Sequence, residues 1–304
     1  MKNINLKEVI QRLSTVQDIL RWVFSKLSSS NVFFGHGIDN AWEESLQLVL
    51  SVVNLPFEFS KEMQKTKITK NECYQILKGI NKRIKQRVPM PYIIGKSLFY
   101  GYEFYVDQNV LIPRSSIAET IINKFNKYIN KKPNYILDLC TGSGCLAIIC
   151  SYLFPNSVIE ASDISKKALK IAKINILKHK KINIKLINSN LFNNLSLKRY
   201  NIIITNPPYV DKSEFKRLPN EYYYEPPLGL VANENGLEFI NKIIYYSYKY
   251  LTDDGILICE IGNNKKKILE YFPDLPFQWV EFKNPHCNVF VLTKKQLMIP
   301  DMFF

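Results

Sequence analysis

Apolar residues recur at helical spacing through the first third of the chain. Leu6, Val9, Ile10, Leu13, Val16, Leu20 and Val23/Phe24 predict one helix. A break follows at Gly35-His36-Gly37-Ile38-Asp39-Asn40, and Ala41–Val53 reads as a second helix. Asp39 or Asn40 is its expected cap, with Glu43 and Glu44 well placed in the first turn. Thr69 and Glu72 have capping-box spacing and open a third helix, with Ile76, Leu77, Ile80 and Ile84 facing inward. That helix is expected to stop at Val88-Pro89-Met90-Pro91, where the prolines oppose continuation. Residues 1–91 therefore predict a small helical domain.

From Tyr92 to Ile112 the period shortens. Phe99, Tyr102, Phe104, Tyr105, Val110 and Leu111 suit short strands around Gly101 and Asp107-Gln108-Asn109, so 92–112 is expected to be a hairpin linker. After Pro113 strands and helices alternate. Tyr135–Leu139, Val158–Ala161, Ile184–Ile187, Ile202–Ile204 and Ile256–Ile261 read as strands. Cys145–Leu153, Ser165–His179 and Leu237–Leu251 read as helices. Trp279–Phe282 and Val289–Leu292 close the pattern as a hairpin. The alternation predicts a doubly wound α/β domain over 113–304, with ligands at the carboxyl ends of its strands.

Composition adds limits. The 304 residues are 46% hydrophobic, which excludes general disorder, and no apolar run reaches the roughly 18 residues of a membrane span. The polar start Met1-Lys2-Asn3-Ile4-Asn5 lacks the apolar core of a signal peptide, so a cytoplasmic location is expected. Cys140, Cys145 and Cys150 stand five apart, a spacing that fits no zinc site, and the three histidines are scattered; no metal is expected. The formal charge is +14, from 41 Lys and Arg against 27 Asp and Glu. It raises a nucleic-acid reading, to be set against a lysine-rich surface without a partner.

Two motifs carry chemistry. Asp138-Leu139-Cys140-Thr141-Gly142-Ser143-Gly144 ends a strand and opens a helix, where glycines admit close approach and the helix end offers free N–H groups. Gly142-x-Gly144-x-x-Ala147 also satisfies a dinucleotide fingerprint, so this loop alone leaves the cofactor open. Asp163, ending the next strand, is placed to accept ribose hydroxyls, or to cap the helix that Ser165 begins. The second motif, Asn206-Pro207-Pro208-Tyr209, directly follows a strand. Two prolines stiffen the loop and present carbonyls, Asn206 offers both a carbonyl and an amide, and Tyr209 offers an aromatic face to a planar group.

The pairing of D-x-x-T-G-S-G with N-P-P-Y resembles S-adenosylmethionine-dependent methyltransferases that act on exocyclic or amide nitrogens. The helical N-terminal segment, the hairpin and Val110-Leu111-Ile112-Pro113-Arg114 narrow the resemblance to the protein glutamine methyltransferases. Val16-Gln17-Asp18-Ile19-Leu20-Arg21-Trp22, Gly35-His36-Gly37, Asp39-Asn40-x-Trp42, Cys140 and Leu218-Pro219-Asn220-Glu221-Tyr222 resemble the branch acting on a large-subunit ribosomal protein, uL3. The branch acting on release factors usually has Gly at the position of Cys140, and Pro-Glu-Thr where Ser115-Ser116 follow Arg114 here.

The resemblance implies a seven-stranded class I methyltransferase domain and a substrate-recognising helical domain. It implies S-adenosylmethionine held by Asp138, Cys140, Thr141, Gly142, Ser143, Gly144, Asp163, Asn190, Leu191 and Asn206. Catalysis is expected at Asn206, Pro207, Pro208 and Tyr209, chiefly by positioning an amide nitrogen with no strong base. Asn190 stands where the family commonly has Asp facing the adenine amine, and Leu191 where it often has an aromatic ring. Asn284-Pro285-His286-Cys287-Asn288 replaces a glycine-rich turn. Glu225-Pro226 resembles a substrate-side segment, or simply braces the catalytic loop. The charge also acquires an address: residues 93–209 hold 16 basic and 6 acidic residues, whereas 210–235 hold 3 and 5. A mildly acidic segment beside the catalytic loop suits a basic protein substrate. Contact with ribosomal RNA in an assembling particle is compatible with the remaining charge but is not required by it.

Overall fold

The computed structural model describes residues 13–298 apart from 57, 59, 125–126, 129–130, 197–198 and 285–286. Leu6, Val9 and Ile10 of the first expected helix, and Pro285 and His286, lie outside the described residues. The chain forms two units, one from the N-terminal part with Pro219–Tyr224, the other from Leu98–Leu218 and Glu225 onward.

The first unit is helical. The first helix among the described residues does not run through Leu13 as the periodicity predicts but begins at Val16 (α1, Val16–Ser28). Thr15 accepts from the Asp18 N–H while Asp18 reaches back to the Thr15 N–H, and this capping box sets the start. Ala41–Val53 (α2) is capped by Asn40, whose Oδ1 accepts from Glu43 N at 2.9 Å. A short turn, Lys61–Gln64 (α3), precedes Lys70–Gln86 (α4), which the expected Thr69–Glu72 box opens. The prolines do not end helical structure altogether. Met90–Ile94 (α5) restarts it, with Pro91 in the first turn where its missing N–H costs no bond. Ile19, Val23, Leu27, Leu48, Ile76 and Ile80 meet in the core of this unit. Phe24 and Trp42 pack edge to face near its surface.

Lys96–Phe99 (β1) and Tyr102–Tyr105 (β2) form a hairpin around Gly101. Val110 and Leu111, expected as strand, are irregular: Asp107 accepts from Asn109 N and Val110 N, curling the chain into a turn before Pro113. Ile117–Lys124 (α6) follows. Then come Tyr135–Leu139 (β3), Cys145–Leu153 (α7), Val158–Asp163 (β4), Lys166–Lys178 (α8), Ile184–Asn188 (β5) and Tyr200–Thr205 (β6). Val210–Asp211 (β7) and Val231–Ala232 (β8) pair as a small ladder, with Lys212–Phe215 (α9) between them. Glu238–Tyr250 (α10), Leu251–Glu260 (β9), Lys265–Tyr271 (α11), Gln278–Trp279 (β10) and Val289–Thr293 (β11) complete the unit.

Seven strands form one sheet in the order β10-β11-β9-β6-β3-β4-β5, with β11 antiparallel to both neighbours and the central strands parallel. The turn-forming residues Asp253-Asp254-Gly255 lie in a bulge inside β9: Tyr200 pairs with Leu251, but Ile202 pairs with Ile256. One apolar core lies on each side of the sheet, as a doubly wound fold requires. No helix among the described residues is long and apolar enough to cross a membrane.

Candidate active site

The register of the central strands brings the two motifs together. Leu139 pairs with Ser162 on one side and Thr205 on the other, so the loop after β3 lies between Asp163 and Asn206. Asp163 pairs with Asn188, which sets the turn bearing Asn190 at the next strand end. All four positions sit at carboxyl ends of parallel strands, where such a sheet binds ligands.

The glycine loop is built around Asp138. This carboxylate is fully buried and accepts from Thr141 Oγ1 at 2.5 Å and Ala147 N at 3.0 Å. Burial pushes its pKa up to about 7. Gly142 has φ +55, and no atom lies within 4 Å of the place a Cβ would take, so its open face is a ready cradle for a ligand. Gly144 serves differently. At φ +81 it caps α7, and a Cβ there would stand 3.2 Å from Ala172 Cβ, so the absent side chain lets α8 approach. Cys140 also has a positive φ of 63, and burial drives its thiol well above the ordinary value, leaving it a neutral wall group.

Asp163 braces the turn into the helix that Ser165 begins and also stands in the cavity wall. Its Oδ1 accepts from Ser165 N at 2.8 Å and its Oδ2 from Gly142 N at 2.9 Å, while the side chain still lines the cavity. Burial raises its pKa against those two N–H donors. Cys140, Thr141, Gly142 and Ser143 line the same cavity, as do Asn190, Leu191, Asn206 and Pro208. The cavity measures ≈ 140 Å³, against the ~10–15 Å³ that one water needs, so it is ligand-sized. The Asn206 side chain is half-buried and makes no hydrogen bond with any described residue.

Asp138, Gly144, Pro207 and Tyr209 do not line the cavity. Asp138 and Gly144 act from behind, on the shape of the loop. Tyr209 is clamped: its carbonyl accepts from Asn264 Nδ2 at 2.7 Å and its hydroxyl donates to Glu260 Oε1 at 3.3 Å. An edge of its ring lies against Gly262, where a Cβ would come within 2.4 Å of Cε2. Glu260 ends β9 and also accepts from Ser115 Oγ at 2.7 Å and Ser116 N at 2.9 Å. Burial raises its pKa while these donors oppose the shift.

Sequence reasoning missed two supports. The segment Asn109–Ser115, of which 109–112 was read as linker, forms a wall of the cavity. Within it Arg114 makes a two-pronged pair with Glu225 at 2.6 and 2.7 Å, and Glu225 also accepts from Ile112 N. The signal was a lone cation in an apolar run, answered by Glu225 before Pro226. The second is Asn175, fully buried on α8. Its amide donates to Ser143 O and Tyr105 O, and its Oδ1 accepts from Tyr105 N, tying the glycine loop to β2. A lone Asn on the apolar face of that helix was the legible sign.

This sheet order, with a glycine loop after β3 and Asn-Pro-Pro-Tyr after β6, defines a class I methyltransferase. The "Methyltransferase small domain" family matches residues 118–219. The ribosomal protein uL3 glutamine methyltransferase of Francisella tularensis subsp. tularensis is 40% identical over 295 residues, covering 96% of this chain and 94% of its own. The protein of the same name in Xanthomonas campestris pv. campestris is 37% identical, covering 94% and 93%. The chain belongs to this glutamine methyltransferase family. The fold is shared with the hMettl16 catalytic domain, solved in complex with MAT2A 3'UTR hairpin 6: TM-score 0.51 and 15% identity, covering 78% of this chain and 87% of that one.

Proposed function

We propose that the protein transfers a methyl group from S-adenosylmethionine to the side-chain amide nitrogen of a glutamine in ribosomal protein uL3. The observation that carries this reading is Asn206. It stands in the wall of a ligand-sized cavity beside an open glycine cradle, with its amide group uncommitted among the described residues. The residues present fit the cofactor. Gly142 leaves room for it, Asp163 retains lone pairs for ribose hydroxyls, and Asn190 Oδ1 offers an acceptor to an adenine amine.

When bound, S-adenosylmethionine supplies an electrophilic methyl on a sulfonium. The chain's task is to present a nitrogen to it. An amide nitrogen is a poor nucleophile because its lone pair is delocalised into the carbonyl. Acceptance of its two N–H groups by the Asn206 side-chain oxygen and the Pro207 carbonyl would fix its direction and favour a pyramidal nitrogen. The two prolines hold those acceptors without rearrangement, and Gly236, Gly262 and Asn264 hold Tyr209 behind them. Among the described residues, only Arg114 and Asp163 bring charge to the cavity wall, and Arg114 is paired with Glu225. That suits a neutral amide better than a base carried on a phosphate backbone. A cytoplasmic setting follows from a ribosomal substrate.

Labelled methyl transfer to purified uL3, a release factor and RNA tests the reading. Label is expected in uL3 alone, with Asn206→Ala reduced by about 10²–10³-fold, the scale of losing one oriented polar contact at the reacting centre. Label confined to release factor or RNA would overturn the substrate; undiminished transfer by the variant would overturn the mechanism.

A further inference from the structure

Between Asp163 and Asp211 the chain carries ten Lys and Arg side chains and no carboxylate side chain. Half of them, Lys166, Lys167, Lys170, Lys173 and Lys178, stand exposed on α8, and Lys185 lies on β5, the outer strand of the sheet. At about 100° per residue, Lys166, Lys170 and Lys173 share a stripe roughly 60° wide, and Lys166 to Lys178 spans about 18 Å along the axis.

Helix stability does not explain this placement. Lys166 and Lys167 occupy the first turn, which holds no acidic residue and where the helix dipole disfavours cations. Lys166 and Lys170 repel at i,i+4, as do Lys170 and Lys173 at i,i+3. Among the described residues, Lys166, Lys167, Lys170 and Lys173 pair with no carboxylate; Lys178 and Lys185 meet Glu103 and Glu160. The other lysine run, on α11, contrasts sharply. Lys265 lies 4.5 Å from the Trp279 ring, Lys266 pairs with Glu270, and Lys267 pairs with Glu214. Beyond the end of α8, Lys181 sits 3.2 Å from the ring centroid of Tyr152, which is 37% exposed and stacks on Tyr102 at 4.4 Å. A row of cations without carboxylate partners is the equipment with which a protein follows a phosphate backbone.

We propose that the α8–β5 flank binds an RNA backbone and holds the enzyme on the ribonucleoprotein that carries its substrate. The choice of RNA among nucleic acids rests on the ribosomal-protein reading above; the polyanion surface does not. A bilayer is a poorer match: Ile174, Leu177 and Ile182 are exposed here but interspersed with lysines, while the continuous apolar stripe of α8 (Ala168, Ile171, Ala172 and Ile176) is buried in its own domain.

The test is fluorescence anisotropy of a labelled ribosomal RNA stem-loop with the full chain over a salt series. Wild-type affinity should fall steeply with salt. Lys166→Gln/Lys170→Gln/Lys173→Gln should weaken binding at least tenfold at low salt and reduce the log–log slope by about 2–3, one lost counterion per lysine. The charge-matched Lys265→Gln/Lys266→Gln/Lys267→Gln variant should keep the wild-type slope. Both variants should methylate free uL3 at the wild-type rate. RNA binding lost through the α8 lysines, in a chain that does not methylate uL3, would remove the substrate reading and leave this surface standing. Absence of salt-dependent RNA binding, equal losses in the two variants, or tighter α8-dependent binding to phosphatidylserine vesicles would overturn the proposal.

Discussion

Asp163 and Asp138 show how one side-chain type performs two tasks a few ångströms apart. Asp163 spends one lone pair of each oxygen on Ser165 and Gly142, and lines the cavity with what remains. Asp163→Ala should weaken S-adenosylmethionine binding by about 1–3 kcal/mol, measured by calorimetry, the scale of a hydrogen bond to a charged acceptor. Asp138 stays behind the loop, with a pKa raised to about 7 from an ordinary 3.8. The folded state therefore holds a proton that the unfolded chain releases, and the stability this residue contributes is lost as pH rises through 7. Asp138→Asn keeps an acceptor for Thr141 and Ala147 without the charge, so its melting temperature should fall less than wild type between pH 5 and pH 8. Asp138→Ala should lose about 1–3 kcal/mol by leaving both donors unpaired. The motif identified both aspartates, but their division of labour depends on burial, which residue type and spacing do not encode.

At the scale of elements, the stiff loop after β6 depends on neighbours from distant parts of the chain. Gly262 follows β9 with φ +52, and its missing side chain is the space that the Tyr209 ring edge fills. Gly262→Ala should displace Tyr209 and reduce methyl transfer at least tenfold while S-adenosylmethionine affinity, measured by calorimetry, changes little. Equal losses in both would place Gly262 in the cofactor site instead. Helix starts were legible because caps are local: Thr69 with Glu72, and Asn40 with Glu43, act within one turn. Val110 and Leu111 misled because β-branched and aliphatic residues suit a strand only when a partner strand exists. Here Asp107 and Pro113 impose a turn, and the segment becomes a cavity wall. Gly262 and Asn264 were illegible for a related reason, since what they touch lies some fifty residues back.

Over the whole molecule, the alternation of periods revealed the doubly wound sheet, because burial on both faces leaves strands uniformly apolar. The helical unit was legible too, except that Pro219–Tyr224 belongs with it. That segment delivers Glu221 to Arg83, which also holds Glu44 with two bonds at 2.8 and 3.0 Å and the Phe33 carbonyl at 2.7 Å. All three charged side chains are nearly inaccessible. Arg83→Ala would strand Glu44 and leave Glu221 to Arg87 and the Phe33 N–H, and urea denaturation should register a loss of about 3–5 kcal/mol.

The strand order has a kinetic consequence. The cavity draws its walls from the ends of β3, β4, β5 and β6, and the central strand β3 finds β6 only across the intervening β4, α8 and β5. Closing such long loops precedes any reward from pairing them, so the native pocket belongs to the slow, late part of folding. A nascent chain released through Tyr209 already contains both sequence motifs. It still lacks β9, the parallel neighbour of β6, and the Gly262–Asn264 clamp on Tyr209. Acquisition of a working site is thus timed by synthesis of the last third of the chain, after both motifs have left the ribosome.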